Sequence, residues 1–209
     1  MTEDFRASFE RETNVSRETM ERLTEYADLL KKWNPAINLV SKSTIDSLWS
    51  RHFYDSAQIY HFKPESPCKW VDIGSGGGFP GLVVAVLAKE SAQDFHLTLV
   101  ESDVRKSTFL RTVIRELGLN AEVVAKRVEE IPPLNADILS ARALAPLDKL
   151  LEFAYFHLKE GGFAIFPKGQ KYKAEIDEAN ERWSYDLDKT VSKTNVEGAI
   201  LKIGGISRV

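Results

Sequence analysis

The chain has 209 residues, 43% of them apolar and 28% charged, with a formal net charge of −3. That balance excludes a disordered or fibrous chain and suits one large domain, or a domain with an appendage. The single cysteine, Cys68, excludes an internal disulfide and a cysteine-rich zinc site, and four scattered histidines (His52, His61, His96, His157) suggest no metal cluster. The polar, acidic start and the lack of an apolar run of the ~18 residues a membrane span needs predict a cytoplasmic protein without a membrane partner.

In chain order, Ser16 to Trp33 reads as an amphipathic helix, with Met20, Leu23, Ala27, Leu30 and Trp33 at helical spacing, a Ser16 cap and a stop at Asn34-Pro35. Ser43-Thr44-Ile45-Asp46 resembles a capping box for a second helix reaching about Tyr60. Pro64 and Pro67 mark a linker, which divides a helical extension, 1–66, from a core, 67–209.

The core alternates strands with helices. Strands are expected at Trp70–Ile73, His96–Val100, Ala121–Ala125, Ala136–Ser140 and Gly162–Phe166. Helices are expected at Leu82–Ala88, Asp103–Leu117 (stopped by Gly118), from Pro146 to a close at Gly161, and at Ala174–Arg182. Two further strands, Tyr185–Val191 and Ala199–Ile203, are close enough to pair antiparallel. The pattern predicts an α/β, Rossmann-like doubly wound sheet, mostly parallel, with a C-terminal antiparallel hairpin and an N-terminal helical extension. Ligands in such sheets sit at the carboxyl ends of the strands, so Asp72, Glu101, Glu129, Arg142 and Lys168 become candidates.

The chemistry concentrates in Lys69–Ala88, a strand, a glycine turn and a buried helix. Five glycines in the eight residues 74–81 carry an entropic penalty that a plain connection has no reason to bear. Two cofactor patterns overlap there. Gly76 to Gly81 fits the dinucleotide fingerprint G-x-G-x-x-G. Asp72-Ile73-Gly74-Ser75-Gly76-Gly77-Gly78 fits D-x-G-x-G-x-G, the first motif of S-adenosylmethionine methyltransferases. A pyrophosphate gains nothing from a carboxylate beside it, whereas a sulfonium and an ammonium do, so Asp72 favours S-adenosylmethionine, with Gly74, Gly76 and Gly78 around it. Glu101 can grip two ribose hydroxyls under either pattern, and Val128 and Glu129 follow the third strand, where the fold places an adenine.

After the fourth strand there is no Asn-Pro-Pro-Tyr or Asp-Pro-Pro-Tyr, as amino-group methyltransferases usually have, and no Pro-Cys for attack on a pyrimidine ring. Ser140-Ala141-Arg142-Ala143 stands there instead, which suits an acceptor that is already nucleophilic. The acidic net charge argues against nucleic acid as partner, but its distribution is uneven. Residues 1–30 carry eight acids and four bases, whereas 31–52 carry Lys31, Lys32, Lys42 and Arg51 against Asp46 alone. Residues 161–174 carry Lys168, Lys171 and Lys173 and no acid.

From about Leu29 to Lys168 the sequence resembles the glucose-inhibited division protein B family, bacterial methyltransferases that modify a guanine N7 in 16S ribosomal RNA. The resemblance rests on Lys32-Trp33-Asn34 with Asn38-Leu39, Arg51-His52 with Asp55-Ser56, Asp72 to Gly81, Glu101-Ser102, Arg127-Val128-Glu129, Ser140-Ala141-Arg142-Ala143 and Lys168-Gly169. It implies that Gly74, Phe79, Val128, Glu129 and Arg142 contact the cofactor. It also implies a monomeric partner of 16S ribosomal RNA or the small ribosomal subunit. Lys31, Lys32, Arg51, His52, Lys168 and Lys171 are then expected to hold RNA. Arg142 is expected either to bind the methionyl carboxylate or to fix the guanine through its O6, an ion pair with Asp72 or Glu129 being the ordinary alternative. A ribosome-assembly module with a vestigial cofactor site and a nicotinamide-dependent oxidoreductase are the competing functions.

Overall fold

The structure, a computed structural model, describes residues 5–64, 67–90 and 94–209. Its sheet has seven strands: β1 (Cys68–Ile73), β2 (Phe95–Val100), β3 (Ala121–Val124), β4 (Ala136–Ser140), β5 (Leu158–Lys168), β6 (Trp183–Val191) and β7 (Ala199–Arg208). They lie in the order β3-β2-β1-β4-β5-β7-β6. The first five are parallel, and β7 runs antiparallel to both β5 and β6. The winding reverses between β1 and β4, where Asp72 stands in register with Ser140. This is the doubly wound sheet and hairpin that the alternation predicts.

Helices cover both faces. On one face lie α1 (Phe5–Thr13), α2 (Arg17–Ile37), α4 (Gly81–Ala88) and α5 (Val104–Leu117); on the other lie α6 (Leu147–His157) and α7 (Tyr172–Ala179). The alternating side chains of β1 divide between the two cores, Trp70 to the first and Val71 and Ile73 to the second. Every residue of α4 is buried, because α2 covers its outer side. No helix among the described residues is long and apolar enough to cross a membrane.

The N-terminal extension grips the glycine turn. Fully buried Tyr26, on α2, donates its hydroxyl to the Gly77 carbonyl. Its ring stacks on Phe79 at 5.4 Å and meets Phe53 edge-on at 5.2 Å. Such pairs contribute about 0.5–1.5 kcal/mol each beyond their buried area. A Cβ on Gly77 would lie 3.1 Å from the Leu39 carbonyl, and one on Gly78 only 2.5 Å from the Tyr26 hydroxyl. The expected boundary near 66 falls beside residues 65 and 66, which lie outside the described residues.

Several expectations are corrected. Helix α2 runs through Pro35 to Ile37, because burial of Asn34 and Ile37 outweighs the local preference to stop. Its end is set instead by Asn38 in the left-handed region (φ 49°), and the Asn34 side chain takes the Val40 N–H. The helix expected over 43–60 is broken into a 3-10 turn (Lys42–Thr44), a π turn (Trp49–Tyr54), α3 (Asp55–Ala57) and a second 3-10 turn (Tyr60–Phe62). The Arg142 guanidinium draws off the Arg51 carbonyl inside the π turn, a device frequent at functional sites. Helix α6 ends at His157, not at Gly161. Gly161 and Gly162 lie within β5, at the register shift against β4, and a Cβ on Gly162 would lie 2.7 Å from the Ala136 carbonyl. Helix α7 spans 172–179 instead of 174–182, and Trp183 opens β6.

Replacing Tyr26 with Phe leaves the Gly77 carbonyl buried without its donor. Denaturant unfolding should show a loss of about 1–3 kcal/mol. Cofactor titration of the folded variant should show weakened binding, because the turn loses its outer restraint.

Candidate cofactor and acceptor site

The turn after β1 places Gly74, Gly76 and Gly78 at φ 64°, 56° and 94°, a region that costs an L-residue about 1–2 kcal/mol. The Gly74 N–H bonds the Val100 carbonyl at 2.9 Å, which anchors the turn to the end of β2. Glu101, 8% exposed, accepts the Gly76 N–H on one oxygen and the Asp103 N–H on the other, both at 2.8 Å. Each oxygen keeps lone pairs for a further donor. The β3 exit supplies the next wall, Lys126 to Glu129, with Val128 buried. Buried His157 donates its Nε2–H to the Val128 carbonyl at 3.2 Å. Gly74, Gly76, Glu101 and Lys126 to Glu129, together with Leu144 and Phe153, line a cavity of about 340 Å³.

A second cavity, of about 550 Å³, opens on the far side of Ala143 and Leu144, which line both. Leu144 lies against the glycine turn, so close that a Cβ on Gly74 would be 2.5 Å from its methyl carbon. Arg142 organises this second cavity. One Nη1 donates to the Asp55 carboxylate and to the Arg51 carbonyl, both at 3.0 Å, and Nη2 donates to His52 Nδ1 at 2.8 Å. Its guanidinium also lies 5.1 Å from the Phe79 ring centre. His52 Nδ1 is thus an acceptor, so Nε2 carries the proton and donates to Thr44 Oγ1 at 2.9 Å. Asp55 takes a second donor, the Thr194 hydroxyl, at 2.6 Å. Gln58 fixes the same hairpin loop by accepting the Lys193 N–H at 2.6 Å.

The predicted residues therefore divide. Gly74, Gly76, Glu101, Val128 and Glu129 line the smaller cavity as expected. Asp72 does not. It is fully buried beneath the turn, where it accepts the Ser140 hydroxyl at 2.6 Å, and Ser140 in turn accepts the Trp70 indole N–H at 2.9 Å. Its carboxylate thus supports the switch point and is part of neither cavity wall. Gly78 and Phe79 are also absent from the wall, since Phe79 turns its ring into the aromatic cluster of the extension. Arg142 lines the larger cavity and pairs with Asp55, not with Asp72 or Glu129.

Of the six residues expected to hold RNA, Arg51, His52 and Lys168 line the larger cavity. Lys168 is already engaged there by Glu175 and by the Ala145 carbonyl, and is 10% exposed. Lys32 borders a separate groove beside Glu21, Glu25 and Asp28. Lys31 and Lys171 are exposed and line neither cavity. Asp55, Thr194 and His157 escaped the sequence reading; only the Arg51-His52 and Asp55-Ser56 motifs pointed near the first of them.

Burial raises the Asp72 carboxyl to about 6, against the opposing hydrogen bond from Ser140. Burial, reinforced by Arg142 and Arg51, lowers His52 to about 3. Burial lowers His157 as well, and raises Tyr26 far above the usual phenol range.

Comparison with known proteins decides among the competing functions. A family model described as rRNA small subunit methyltransferase G matches residues 19–201. The chain belongs to that family. A protein named ribosomal RNA small subunit methyltransferase G from a Ruegeria species is 53% identical over 95% of this chain and 96% of its own. One of the same name from Ruegeria pomeroyi is 52% identical over 94% and 96%. The solved structure of a TehB-like S-adenosylmethionine-dependent methyltransferase from Corynebacterium glutamicum has a TM-score of 0.58 at 14% identity, over 87% of this chain and 98% of that one, and supports the fold alone. Methyltransferase G family membership makes the chain an S-adenosylmethionine-dependent methyltransferase. The glycine-turn motif led to that cofactor through an acid that lies beneath the turn, outside the cavity wall.

Replacing Glu101 with Gln keeps the shape and removes the charge that strengthens its hydrogen bonds. Calorimetric titration should give a roughly ten- to hundredfold weaker cofactor, from about 1.5–3 kcal/mol per charge-assisted bond. His52 gives a pH signature. Its folded pKa lies below the unfolded value, so its contribution to stability is present above about 6.5 and is lost as pH falls toward 3. Asp72 has the opposite sign, contributing below its unfolded value and losing that contribution as pH rises through about 6. Comparing wild type with His52→Gln at each pH cancels the Asp72 part. Between pH 7.5 and 5 the wild type should lose more stability in denaturant unfolding than the variant.

Proposed function

We propose that this methyltransferase modifies N7 of a guanine in 16S ribosomal RNA of the small subunit, acting as a cytoplasmic monomer. The observation that carries the reading is that no free base stands in the larger cavity among the described residues. His52 has both ring nitrogens engaged, Asp55 is shared by Arg142 and Thr194, and Glu175 is shared by Lys168 and the Leu147 N–H. Guanine N7 offers an in-plane lone pair and loses no proton on methylation, so it is the acceptor such a cavity can serve.

The smaller cavity fits S-adenosylmethionine. A Cβ on Gly76 would meet only the Gly74 carbonyl, at 3.9 Å, so the turn leaves open space over bare backbone. Glu101 stands at the β2 exit with lone pairs for the ribose hydroxyls, and Val128 offers main chain and an apolar side for the adenine. Bound there, S-adenosylmethionine supplies the methyl group: the N7 lone pair forms the new bond to carbon as the sulfur–methyl bond breaks, its electron pair returning to sulfur. The protein's own contribution is alignment across the Ala143–Leu144 partition, where effective concentration lowers the barrier.

Arg142 lies on the acceptor side of that partition, which favours its use on the guanine O6 over the methionyl carboxylate. Three of its five N–H groups are spent on Arg51, Asp55 and His52, and the remaining two are available to a ligand. The guanidinium is locked in place before substrate arrives.

The deciding experiment is to incubate unmodified 16S RNA with protein and S-adenosylmethionine and map the product by mass spectrometry. A single N7-methylguanine is expected. Methylation at any exocyclic amine or ring carbon refutes the reading, and binding without methylation favours the assembly module. Arg142→Ala should lower single-turnover methylation on the order of a hundredfold at saturating cofactor, as loss of alignment does. Arg142→Lys should rescue it poorly, because the planar fork is lost. Thr194→Val should raise the KM for RNA while leaving S-adenosylmethionine affinity unchanged, since it loosens Asp55, Gln58 and Ser192, all away from the smaller cavity, and Thr194→Ser should restore it.

A further inference from the structure

Three cations surround the smaller cavity: Lys106 near the start of α5, and Lys126 and Arg127 after β3. None makes an ion pair or a side-chain hydrogen bond among the described residues, although Lys106 lies within electrostatic reach of the Asp103 carboxylate, which takes its backbone N–H. Two carboxylates share the wall. Glu101 has both oxygens on backbone N–H groups, and exposed Glu129 stands beyond Val128.

That rim has the wrong sign for the cavity's own ligand. S-adenosylmethionine carries a sulfonium, an ammonium and one carboxylate, a net positive charge. Cations within a Debye length of its path, about 8 Å at physiological salt, oppose its entry. Clefts ordinarily present the sign opposite to their ligand. A cationic rim around a cation's cavity, with Lys126 and Arg127 in no ion pair among the described residues, therefore answers an anion that comes from outside.

We infer that Lys106, Lys126 and Arg127 receive backbone phosphates of the RNA, so that the substrate strand crosses the mouth of the cofactor cavity as well as entering the acceptor cavity. The inference rests on the assignment of the two cavities to S-adenosylmethionine and to RNA. Geometry gives the strand a continuous track. Ala143 and Leu144 border both cavities, and the second cavity carries Arg51. The track from Arg51 past Leu144 to Lys126 and Arg127 is cationic at both ends.

A thermodynamic consequence follows. Phosphates on the rim neutralise the charge that opposes the cofactor, so RNA and S-adenosylmethionine each tighten the binding of the other, by the same factor. S-adenosylhomocysteine has lost the sulfonium charge and carries no net charge. RNA therefore favours its entry less, and the bound strand discriminates between fresh and spent cofactor.

The test uses the full chain, 16S RNA lacking the modification, and the triple variant Lys106→Gln, Lys126→Gln, Arg127→Gln. RNA affinity is measured against salt, and S-adenosylmethionine affinity with and without RNA. In the wild type, RNA should tighten S-adenosylmethionine about five- to tenfold, at the low end of measured couplings. In the variant the log–log salt slope should fall by about two, at about 0.7 per contact on single-stranded RNA. The RNA-dependent gain in cofactor affinity should vanish, while cofactor affinity without RNA does not fall. An unchanged salt slope overturns the inference. So does a drop in cofactor affinity without RNA, which would put the rim on the methionyl carboxylate. A wild type that binds cofactor and methylates RNA, beside a variant with the full slope, sinks this inference alone. A wild type that does neither sinks the functional reading beneath it.

Discussion

Two side-chain hydrogen bonds from distant parts of the chain, added to the backbone bonds to Val100, hold the turn at 74–78, and the site depends on them. Tyr26 donates to the Gly77 carbonyl from one side, and Glu101 accepts the Gly76 N–H from the other. Glycines are required because three residues lie in the left-handed region, yet glycine is the residue that loses most freedom on ordering. A turn so composed does not hold its own shape. It is shaped by what packs on it, and much of that packing comes from the N-terminal extension through Tyr26, Leu39 and the Phe79 cluster. The extension therefore shapes the turn that walls the smaller cavity without lining that cavity itself.

The acceptor side works by the same logic, with charge in place of aromatic contact. Asp55 is shared by a cation and a hydroxyl, Arg142 by a carboxylate, a carbonyl and an imidazole. The Arg142–Asp55 pair is mostly enclosed, with side chains 16% and 20% exposed, so removing either partner strands the other. The Arg17–Glu21 pair, 87% and 61% exposed, belongs to the class that adds little. Low basicity at His52 follows first from its burial, and then from the Arg142 guanidinium, which already occupies the acceptor lone pair on Nδ1.

Most of the fold was legible because parallel strands and amphipathic helices write their periods into local sequence. The doubly wound sheet, the Ser16 cap and the Gly118 stop all appear near where the pattern puts them. What failed was set by partners far along the chain. The break in 43–60 depends on Arg142, whose acceptor Arg51 is 91 residues away. Gly161-Gly162 looked like a helix stop, but the room they leave is for the Ala136 carbonyl on the neighbouring strand. The same contrast runs through the site. Glu101, Val128 and Glu129, read at strand exits, line the smaller cavity, because the topology places every exit on one rim. The Asp72 argument assumed that a polar residue at an exit points outward, and Ser140 in the adjacent register position drew it inward. Thr194 carried no signal at all, since a threonine in a hairpin loop is ordinary until its partner is known.

The insertion of β7 between β5 and β6 imposes an order on assembly. As the chain is synthesised, β5 exposes an unpaired edge from the time it folds until residues 199–208 emerge. Strand β6, made first, has no neighbour but β7, so it cannot dock early and protect that edge. An open edge with apolar Ala164 and Phe166 along it is a template for foreign pairing. A ribosome carrying this nascent chain thus holds a half-closed sheet while the forty or so residues from the end of β5 to the end of β7 are made. That span is a matter of seconds at ordinary synthesis rates, roughly 5–20 residues per second. The segment that closes the acceptor cavity is also the one that ends this exposure, so competence for substrate and safety from aggregation arrive together.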